Sequence, residues 1–461
     1  MRTRVERDAL GERDVPADAY YGIQTLRAVE NFPISGLRAH PAFIVATAQV
    51  KLAAAQANMA VDRLDPGMGN AIGSAAREVI AGRLHDQFVV DVYQAGAGTS
   101  HHMNANEVLA NRALEILGEP RGKYSRLHPN DHVNMSQSTN DVFPTAMRLA
   151  ALALSRPLLQ ALEGLEAALR DRAQAFDEVV KAGRTHLQDA TPIRVGQEFG
   201  GYATATAAHR AAIVEACGLL RALALGGTAV GTGMNSHPDY RHLVTAALAG
   251  ITGEPLVPAP DPFDAMQSMR PFAALSGALR TLALDLTRIA NDLRLMASGP
   301  RTGLAEIILP AVQPGSSIMP GKVNPVLAEA LNMVCFQVIG YDLTIAMASQ
   351  AGQLELNVMM PVIAHSLFQS LTILARGITA FTTRCVAGIQ VDAERCRRYA
   401  EETVALATAL SPRIGYERAA AVAKESWATG RTIREVVVAE GLLTPAEAAE
   451  VLDPRRLTEP R

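Results

Sequence analysis

Three stretches of the chain place apolar residues at alternating spacings of four and three. The clearest runs from Leu275 to Met296, a second from Leu367 to Phe381 and a third from Leu158 to Leu169. This heptad pattern predicts long α-helices that cross at roughly 20° in a left-handed bundle. Alanine-rich stretches such as 203–212 and 330–347 are apolar on nearly every face, so we expect them to be buried on several sides. Because the outer faces of a single bundle would be wet, a homo-oligomer follows as an expectation.

Clusters of proline and glycine interrupt these helical patterns and divide the chain. Segment 1–140 has shorter helical runs broken by polar loops, whereas 141–390 contains the three heptad stretches. Segment 391–461 resembles a small separate helical unit, in which Thr444-Pro-Ala-Glu is a strong helix start. The sequence therefore predicts an all-α protein with three domains. These are an N-terminal helical domain (1–140), a central helix-bundle domain (141–390) and a small C-terminal helical domain (391–461).

Composition agrees with helix packing and excludes several classes of function. Hydrophobic residues make up 49% of the 461 residues and aromatic residues only 5%, so the core is built mainly from aliphatic side chains and alanine. With 43 basic and 46 acidic residues the net charge is −3, and no run of Lys or Arg offers a surface for nucleic acid. The sequence therefore gives no indication of a nucleic-acid partner.

The cysteines and the N-terminus bear on compartment and metal binding. The four cysteines lie far apart without a CxxC motif, which predicts reduced thiols and no metal site. The charged start MRTRVERD lacks the apolar core of a secretory signal, and no window approaches ~18 uninterrupted apolar residues. We therefore expect a cytoplasmic protein with no membrane partner.

Four polar loops interrupt the helical sequence with hydroxyl and amide residues. They begin at Gly96 (GAGTSHHMN), His128 (HPNDHVNMSQSTND), Gly183 (GRTHLQD) and Pro314 (PGSSIMPGKVNP). Such residues can supply the fixed donors, and Lys322 the positive charge, that a small dicarboxylate needs. Taken singly, each loop has a structural interpretation: an N-cap cluster, a helix-joining turn or a connector. A lone histidine such as His186 is as often structural as catalytic.

Together, the four loops resemble the aspartase/fumarase superfamily. The pattern GSSxMPxKxN at Gly315–Asn324 is highly specific to it, and Gly98-Thr99-Ser100, Ser138-Thr139-Asn140-Asp141 and Gly183-Arg184-Thr185-His186 accompany it in the family's order. The resemblance covers essentially the whole chain. It implies an all-α, three-domain fold with a central long-helix bundle, a homotetramer built around packed helices, and active sites shared by three subunits.

The resemblance also implies the roles of individual residues. Ser316 would be the base that removes a Cβ proton from the substrate, with Lys322 and His186 as the other catalytic residues. In fumarases the residue matching His186 helps to activate water, together with one matching Glu329. Substrate binding would fall to Thr99, Ser138, Thr139, Asn140, Thr185, His186, Ser317, Lys322 and Asn324. No external cofactor is implied, although a divalent cation activates some relatives.

The choice of branch within the superfamily rests on weaker residues. The segments from Val15 to Phe32 and from Arg184 to Arg194 resemble aspartases, which deaminate L-aspartate to fumarate, whereas FPTAMR and PFDAM lean toward fumarases. His102 replaces a usual asparagine, Ile308 a commonly polar residue and Met360 a common Glu or Lys. Deamination of L-aspartate is the preferred prediction. Hydration of fumarate, a lyase for a modified aspartate, and an inactive binding homologue stay open.

Overall fold

A computed structural model describes residues 2–460, which form two compact units. The first unit holds the chain up to Leu159 with Ala211–Thr281 and Phe336–Leu374, and the second holds Gln160–Arg210, Leu282–Cys335 and the chain from Ala375 onward. The α-helices are α1 (Ile23–Asn31), α2 (Pro41–Ala60), α3 (Pro66–Ile80), α4 (Thr99–Ile116), α5 (Thr139–Ala175), α6 (Val195–Gly218), α7 (Tyr240–Thr252), α8 (Pro262–Gln267), α9 (Arg270–Met296), α10 (Val326–Gln350), α11 (Met360–Arg384), α12 (Ala393–Glu402), α13 (Ser411–Ile414), α14 (Tyr416–Thr429), α15 (Ile433–Ala439) and α16 (Pro445–Val451).

Strands are short and occur, within residues 2–460, only as two-stranded pairs. The pairs β1–β2, β3–β4 and β7–β8 are antiparallel, and β5–β6 is parallel. No extended sheet forms, so the predicted all-α class is confirmed. The strands are β1 (Thr3–Asp8), β2 (Gly11–Pro16), β3 (Val180–Thr185), β4 (Gln188–Arg194), β5 (Ala222–Leu223), β6 (Val257–Pro258), β7 (Ile307–Ile308) and β8 (Gln390–Val391).

The three predicted heptad stretches lie on the long helices α5, α9 and α11. Every apolar residue that stands at the alternating spacing of four and three in these stretches is at most 4% exposed. The periodicity of each stretch thus selected the buried face of its helix, and this prediction is confirmed. The three-domain division at 140 and 390 stays a prediction; its first boundary falls in the opening turn of α5.

The first unit has a core built on α2, α3 and α4. Helix α2 packs against α3, α4 and α7, and its alanines are buried on several faces of the helix. Pro66 opens α3, and the Asp65 carboxylate caps it by accepting a hydrogen bond from the Met68 N–H (3.0 Å). Helices α2 and α3 both pack against α4.

The second unit contains a small C-terminal helical cluster around Leu410, Ile433 and Val436, each of them fully buried. The predicted helix start at Thr444 is confirmed. Thr444 Oγ1 accepts a hydrogen bond from the Glu447 N–H (3.3 Å), and Glu447 Oε2 accepts one from the Thr444 N–H (2.9 Å). This reciprocal capping box satisfies donors that would otherwise lack partners at the helix end.

Helix α10 leaves an apolar stripe exposed. Met333, Phe336, Leu343 and Met347 are between 55% and 66% exposed, at helical spacings of three, seven and four. Among the described residues, α10 is also the one helix whose length and composition would allow it to cross a membrane. Its most apolar 18-residue segment has a mean hydropathy of 1.4, and 33% of that segment is buried. A core helix of a globular protein passes the same test, so this is weak evidence for a membrane span.

All four cysteines are buried and free of disulfide bonds. Burial raises the pKa of the Cys335 thiol to about 11 and of the Cys385 and Cys396 thiols to about 12. The pKa of Cys217 is raised for the same reason. Because the thiolate is the reactive form, these side chains behave as small apolar residues.

Candidate active site

The loop between β7 and α10 contains the family-specific serine pair. Ser316 Oγ accepts hydrogen bonds from the backbone N–H groups of Ile318 (3.2 Å) and Met319 (2.9 Å). Donors aimed at an oxygen favour its anionic form, so this geometry lowers the cost of removing the hydroxyl proton. The same geometry is a serine turn that shapes the loop. Ser316 is half-buried, whereas Ser317 and Lys322 are exposed.

Two close contacts hold the ends of this loop together. The Gly315 N–H donates to the Lys322 carbonyl (2.7 Å), and Asn324 Nδ2 donates to the Gly315 carbonyl (2.7 Å). A Cβ atom at position 315 would lie 2.6 Å from the Lys322 carbonyl oxygen, so only glycine permits this approach. The Asn324 amide N–H thus braces the loop, and its predicted contact with substrate stays a prediction.

The hairpin of β3 and β4 carries Thr185 and His186 to an exposed tip. Thr185 pairs with Gln188, so His186 and Leu187 form a two-residue turn with φ values of 56° and 60°. Left-handed backbone at both positions matches a type I′ hairpin turn, which usually contains Asn or Gly. For side chains with a Cβ it costs roughly 1–2 kcal/mol per residue. Thr185 and His186 are both exposed to solvent at this tip.

A buried ion-pair network fixes the base of this hairpin. Glu306, which is fully buried, accepts from Arg184 Nη1 (2.8 Å) and lies 3.0 Å from Lys181 Nζ. Lys181 Nζ also lies 3.1 Å from Glu198 Oε2. Glu306 and Lys181 were not predicted from the sequence, since no local motif marks them. The arginine of the GRTH motif, Arg184, is the one sequence signal for Glu306, because a largely buried arginine needs an acidic partner.

In the first unit, Thr99 is the first residue of α4 and is exposed. It follows Gly98, whose φ of +84° is left-handed. A Cβ at Gly98 would lie 2.6 Å from Phe143 Cζ and closer still to two other ring atoms. The start of α4 therefore depends on a glycine packed against α5. The positive end of the helix and the Thr99 hydroxyl suit an anion, while the His101 N–H donates to Gln94 Oε1 (2.7 Å).

The Ser138–Asp141 segment caps the start of α5. Ser138 Oγ accepts from the Asn140 N–H (3.2 Å), and Asp141 Oδ1 accepts from the Ser138 N–H (2.9 Å). Asp141 is fully buried and also accepts from the N–H groups of Gly226 and Thr228 (both 3.0 Å). Burial raises the pKa of Asp141 to about 6, against the effect of these donors. The N-cap interpretation of this segment is thus confirmed.

The side chains of Asn140 and Thr139 differ in their contacts. Asn140 Nδ2 donates to the Ala229 carbonyl (2.8 Å), which ties the start of α5 to a neighbouring loop. Thr139 Oγ1 lies 2.7 Å from His102 Nδ1, and His102 Nε2 lies 2.6 Å from Lys51 Nζ. His102, a departure from the family pattern, therefore contacts a predicted substrate-binding residue directly. Lys51 was not among the residues predicted from the sequence.

The predicted site residues divide into two groups, one in each compact unit. Within residues 2–460, no hydrogen bond or ion pair joins the side chains of Ser316, Lys322 and His186, or His186 to Glu329, so their shared role stays a prediction. The same range contains no cluster of three or more His, Cys, Asp or Glu arranged for a metal ion. The first unit holds Thr99, Ser138, Thr139 and Asn140, and the second holds Thr185, His186, Ser316, Ser317, Lys322 and Asn324.

Comparison with known proteins places these residues in context. The family model "Lyase" matches residues 11–340, and the model "Fumarase C C-terminus" matches residues 406–459. An aspartate ammonia-lyase from Bacillus subtilis (strain 168) is 52% identical over 457 residues, which cover 99% of this chain and 96% of that protein. A class II fumarate hydratase from Neisseria meningitidis is 48% identical over 462 residues, covering 100% of both.

A solved structure agrees with these relatives over the whole chain. The crystal structure of a fumarate lyase:delta crystallin from Brucella melitensis, bound to cobalt, superposes with a TM-score of 0.97. It is 51% identical in sequence and covers 100% of both chains. The fold described above is therefore shared along the full length of the chain.

Proposed function

Since this chain belongs to the aspartase/fumarase superfamily, as a carbon–nitrogen lyase, we propose that it converts L-aspartate reversibly to fumarate and ammonia. The 52% identity to an aspartate ammonia-lyase over 99% of the chain supports L-aspartate as substrate. The aspartase-like segments at 15–32 and 184–194 agree with it.

The proposed mechanism starts with proton transfer from the Cβ of aspartate to Ser316. One observation carries this assignment: Ser316 Oγ accepts two backbone hydrogen bonds, which stabilise the alkoxide that such a base must be. The electron pair of the broken C–H bond moves into the β-carboxylate and gives an enediolate. Its collapse forms the carbon–carbon double bond and expels ammonia from Cα, and Ser316 then returns its proton to solvent.

Substrate binding in this proposal uses charge and fixed donors. Lys322, whose carbonyl accepts the loop-closing hydrogen bond from Gly315, would bind a carboxylate and offset the charge that develops on it. Thr185 and His186 on the hairpin tip would orient the substrate. Thr99 and the Ser138–Asn140 segment would hold the carboxylates from the starts of two helices.

Two alternatives differ in substrate. The 48% identity to a class II fumarate hydratase favours hydration of fumarate, in which His186 would help to activate water. A modified aspartate is favoured by His102, because it adds a ring beside Thr139.

Substrate choice is tested by offering purified protein L-aspartate or L-malate and following fumarate through its ultraviolet absorbance. We expect turnover of L-aspartate. Activity on L-malate alone would establish the hydratase alternative, and activity on neither would favour a modified aspartate or an inactive homologue.

The base assignment is tested with Ser316→Ala and its neighbour Ser317→Ala as the matched variant. Loss of the base should lower kcat by about 10²–10⁴-fold while leaving the fold intact. Ser317→Ala should mainly raise KM, because that residue is proposed only to bind substrate. A Ser316→Ala protein that keeps substantial activity contradicts the mechanism.

A homotetramer with sites shared by three subunits is part of the proposal. The exposed stripe on α10 supports it, since four large apolar side chains at helical spacing need a partner surface. Phe336→Glu should dissociate the assembly in sedimentation experiments, whereas a charge at the exposed residue Trp427 should not. A monomeric wild-type protein would refute this part.

We propose that turnover requires no external cofactor. We also propose that a divalent cation activates the enzyme. Activity measured after chelation and again after adding Mg²⁺ decides between requirement, activation and no effect. Loss of all turnover on chelation would contradict the proposal.

A further inference from the structure

Lys51 is a fully buried lysine on helix α2, which is rich in alanine and other apolar residues. Its Nζ lies 2.6 Å from His102 Nε2, 2.9 Å from Gln137 Oε1 and 3.1 Å from Asn134 Oδ1. An ammonium group has three N–H donors and no acceptor. The three neighbours therefore match its capacity when Lys51 is charged.

The two amide oxygens are held in place as acceptors. Gln137 Nε2 donates to the carbonyls of Val133 (3.1 Å) and Met135 (3.0 Å). Asn134 Nδ2 donates to the Gln137 carbonyl (3.3 Å). Because both NH₂ groups are committed to carbonyls, both carboxamide oxygens face Lys51. The third N–H of the ammonium group is left for His102 Nε2.

The charge on Lys51 has a nearby counterpart. Burial lowers the pKa of Lys51 well below its ordinary value, and the negative charge of the Asp141 carboxylate acts in the opposite direction and favours the ammonium form that the three acceptors match. Burial, followed by the charge of Lys51, lowers the pKa of His102, so this ring is neutral. A neutral imidazole carries one N–H, and a ring that accepts at Nε2 must carry it at Nδ1.

We propose that Lys51 and His102 form a donor relay that orients the Thr139 hydroxyl toward the substrate. His102 Nδ1–H donates to Thr139 Oγ1 across 2.7 Å, so the Thr139 hydrogen points away from the ring. Thr139 is the first residue of α5, and within residues 2–460 its hydroxyl has one hydrogen-bonding partner, His102. Thr139 is half-buried and can donate to a carboxylate oxygen. His102 and Lys51 are thus positioning residues.

The adjacent histidine provides an internal comparison. Thr47 Oγ1 donates to the Phe43 carbonyl (2.8 Å), and it lies 3.0 Å from His101 Nε2. Since the Thr47 hydrogen is already committed, His101 must donate from Nε2. Two neighbouring buried histidines on α4 therefore have opposite tautomers, and only that of His102 is directed at a predicted site residue.

Tautomers are measured directly by nitrogen-15 magnetic resonance on histidine-labelled wild-type protein, with the His102 signals identified by their loss in His102→Gln. We expect His102 protonated at Nδ1 and unprotonated at Nε2, and His101 the reverse. A His102 ring protonated at Nε2 would overturn the relay. This measurement needs neither turnover nor a destabilising variant.

The link to binding rests on the proposed function and is tested with His102→Gln and His102→Leu. Gln can accept from Lys51 through its oxygen and donate to Thr139 through its nitrogen, so KM for L-aspartate should stay within about three-fold of wild type. Leu cannot, and KM should rise about ten-fold or more with little change in kcat. Equal effects of the two variants would refute the role in binding.

Fumarate affinity, measured by calorimetry, separates this inference from the choice of substrate. If the wild-type protein leaves L-aspartate unchanged but binds fumarate about ten-fold more tightly than His102→Leu, only the substrate assignment fails. If both proteins bind fumarate equally, the relay has no role in carboxylate binding. Should His102→Leu not fold, the tautomer measurement on the wild-type protein decides.

Discussion

Replacement of Gly98 by alanine tests how the fold fixes the start of α4. Gly98 has φ +84° and ψ 25°, a conformation that costs an L-residue about 1–2 kcal/mol. The added Cβ would also lie 2.6 Å from Phe143 Cζ and closer to two other ring atoms.

Phe143 has little room to move away. It is 2% exposed, and its ring packs edge-on against Phe43, with ring centroids 4.9 Å apart and planes at 76°. Forcing extra volume into such a core costs about 1–3 kcal/mol. The two contributions together predict that Gly98→Ala lowers the free energy of unfolding by about 2–5 kcal/mol.

The assay is urea denaturation followed by circular dichroism, with KM for L-aspartate measured on the same samples. The double variant Gly98→Ala/Phe143→Leu should recover the packing part and keep the backbone cost. KM should rise in the single variant, because Thr99 follows Gly98 directly. A single variant as stable as wild type, or a double variant no better than the single, would refute the reasoning.

Three further predictions concern other parts of the structure. Glu306→Gln should lower the free energy of unfolding in urea by about 3 kcal/mol, because it leaves Arg184 without its carboxylate and removes one of the two carboxylates that pair with the buried Lys181; an unchanged midpoint would show that the network is dispensable. Burial lowers the pKa of His101 to about 3 from 6.5, so stability is lost as pH falls below 6.5, by up to ~1.4 kcal/mol per pH unit. His101→Phe should reduce this loss of the free energy of unfolding between neutral and acidic pH, measured by urea denaturation at each pH; an equal loss in the variant and the wild-type protein would contradict the prediction. Gly315→Ala should lower kcat with little change in melting temperature, because its Cβ would meet the Lys322 carbonyl at 2.6 Å and open the loop; unchanged kcat would show that loop closure is unimportant.

Helix faces were predictable from the sequence because they depend on local spacing. Between Leu275 and Met296 the apolar residues at spacings of four and three repeat at the period of their own helix, and all of these heptad residues are buried as expected. The Thr444 helix start is likewise a local pattern, since its capping partner lies three residues away.

The supporting residues of the candidate site were not predictable in the same way. Lys51 lies in an alanine-rich helix, and its partners are 51 to 86 positions away in sequence. Glu306 contacts Arg184 across 122 positions. Such roles arise only when distant segments meet, whereas motif residues carry their signal in their immediate neighbours. The structure also gives Asn324 and Asn140 bracing contacts that the motifs do not indicate.

The four buried thiols make this protein a convenient host for site-specific labelling. Because each thiol is buried and has a raised pKa, maleimide dyes should leave the wild-type protein unmodified. A cysteine introduced at Ile318, which is 84% exposed, would then be the one reactive thiol on the protein. A dye at that position lies two residues from Ser316, so its fluorescence would report movements of the loop between β7 and α10 in real time. No native cysteine would have to be removed.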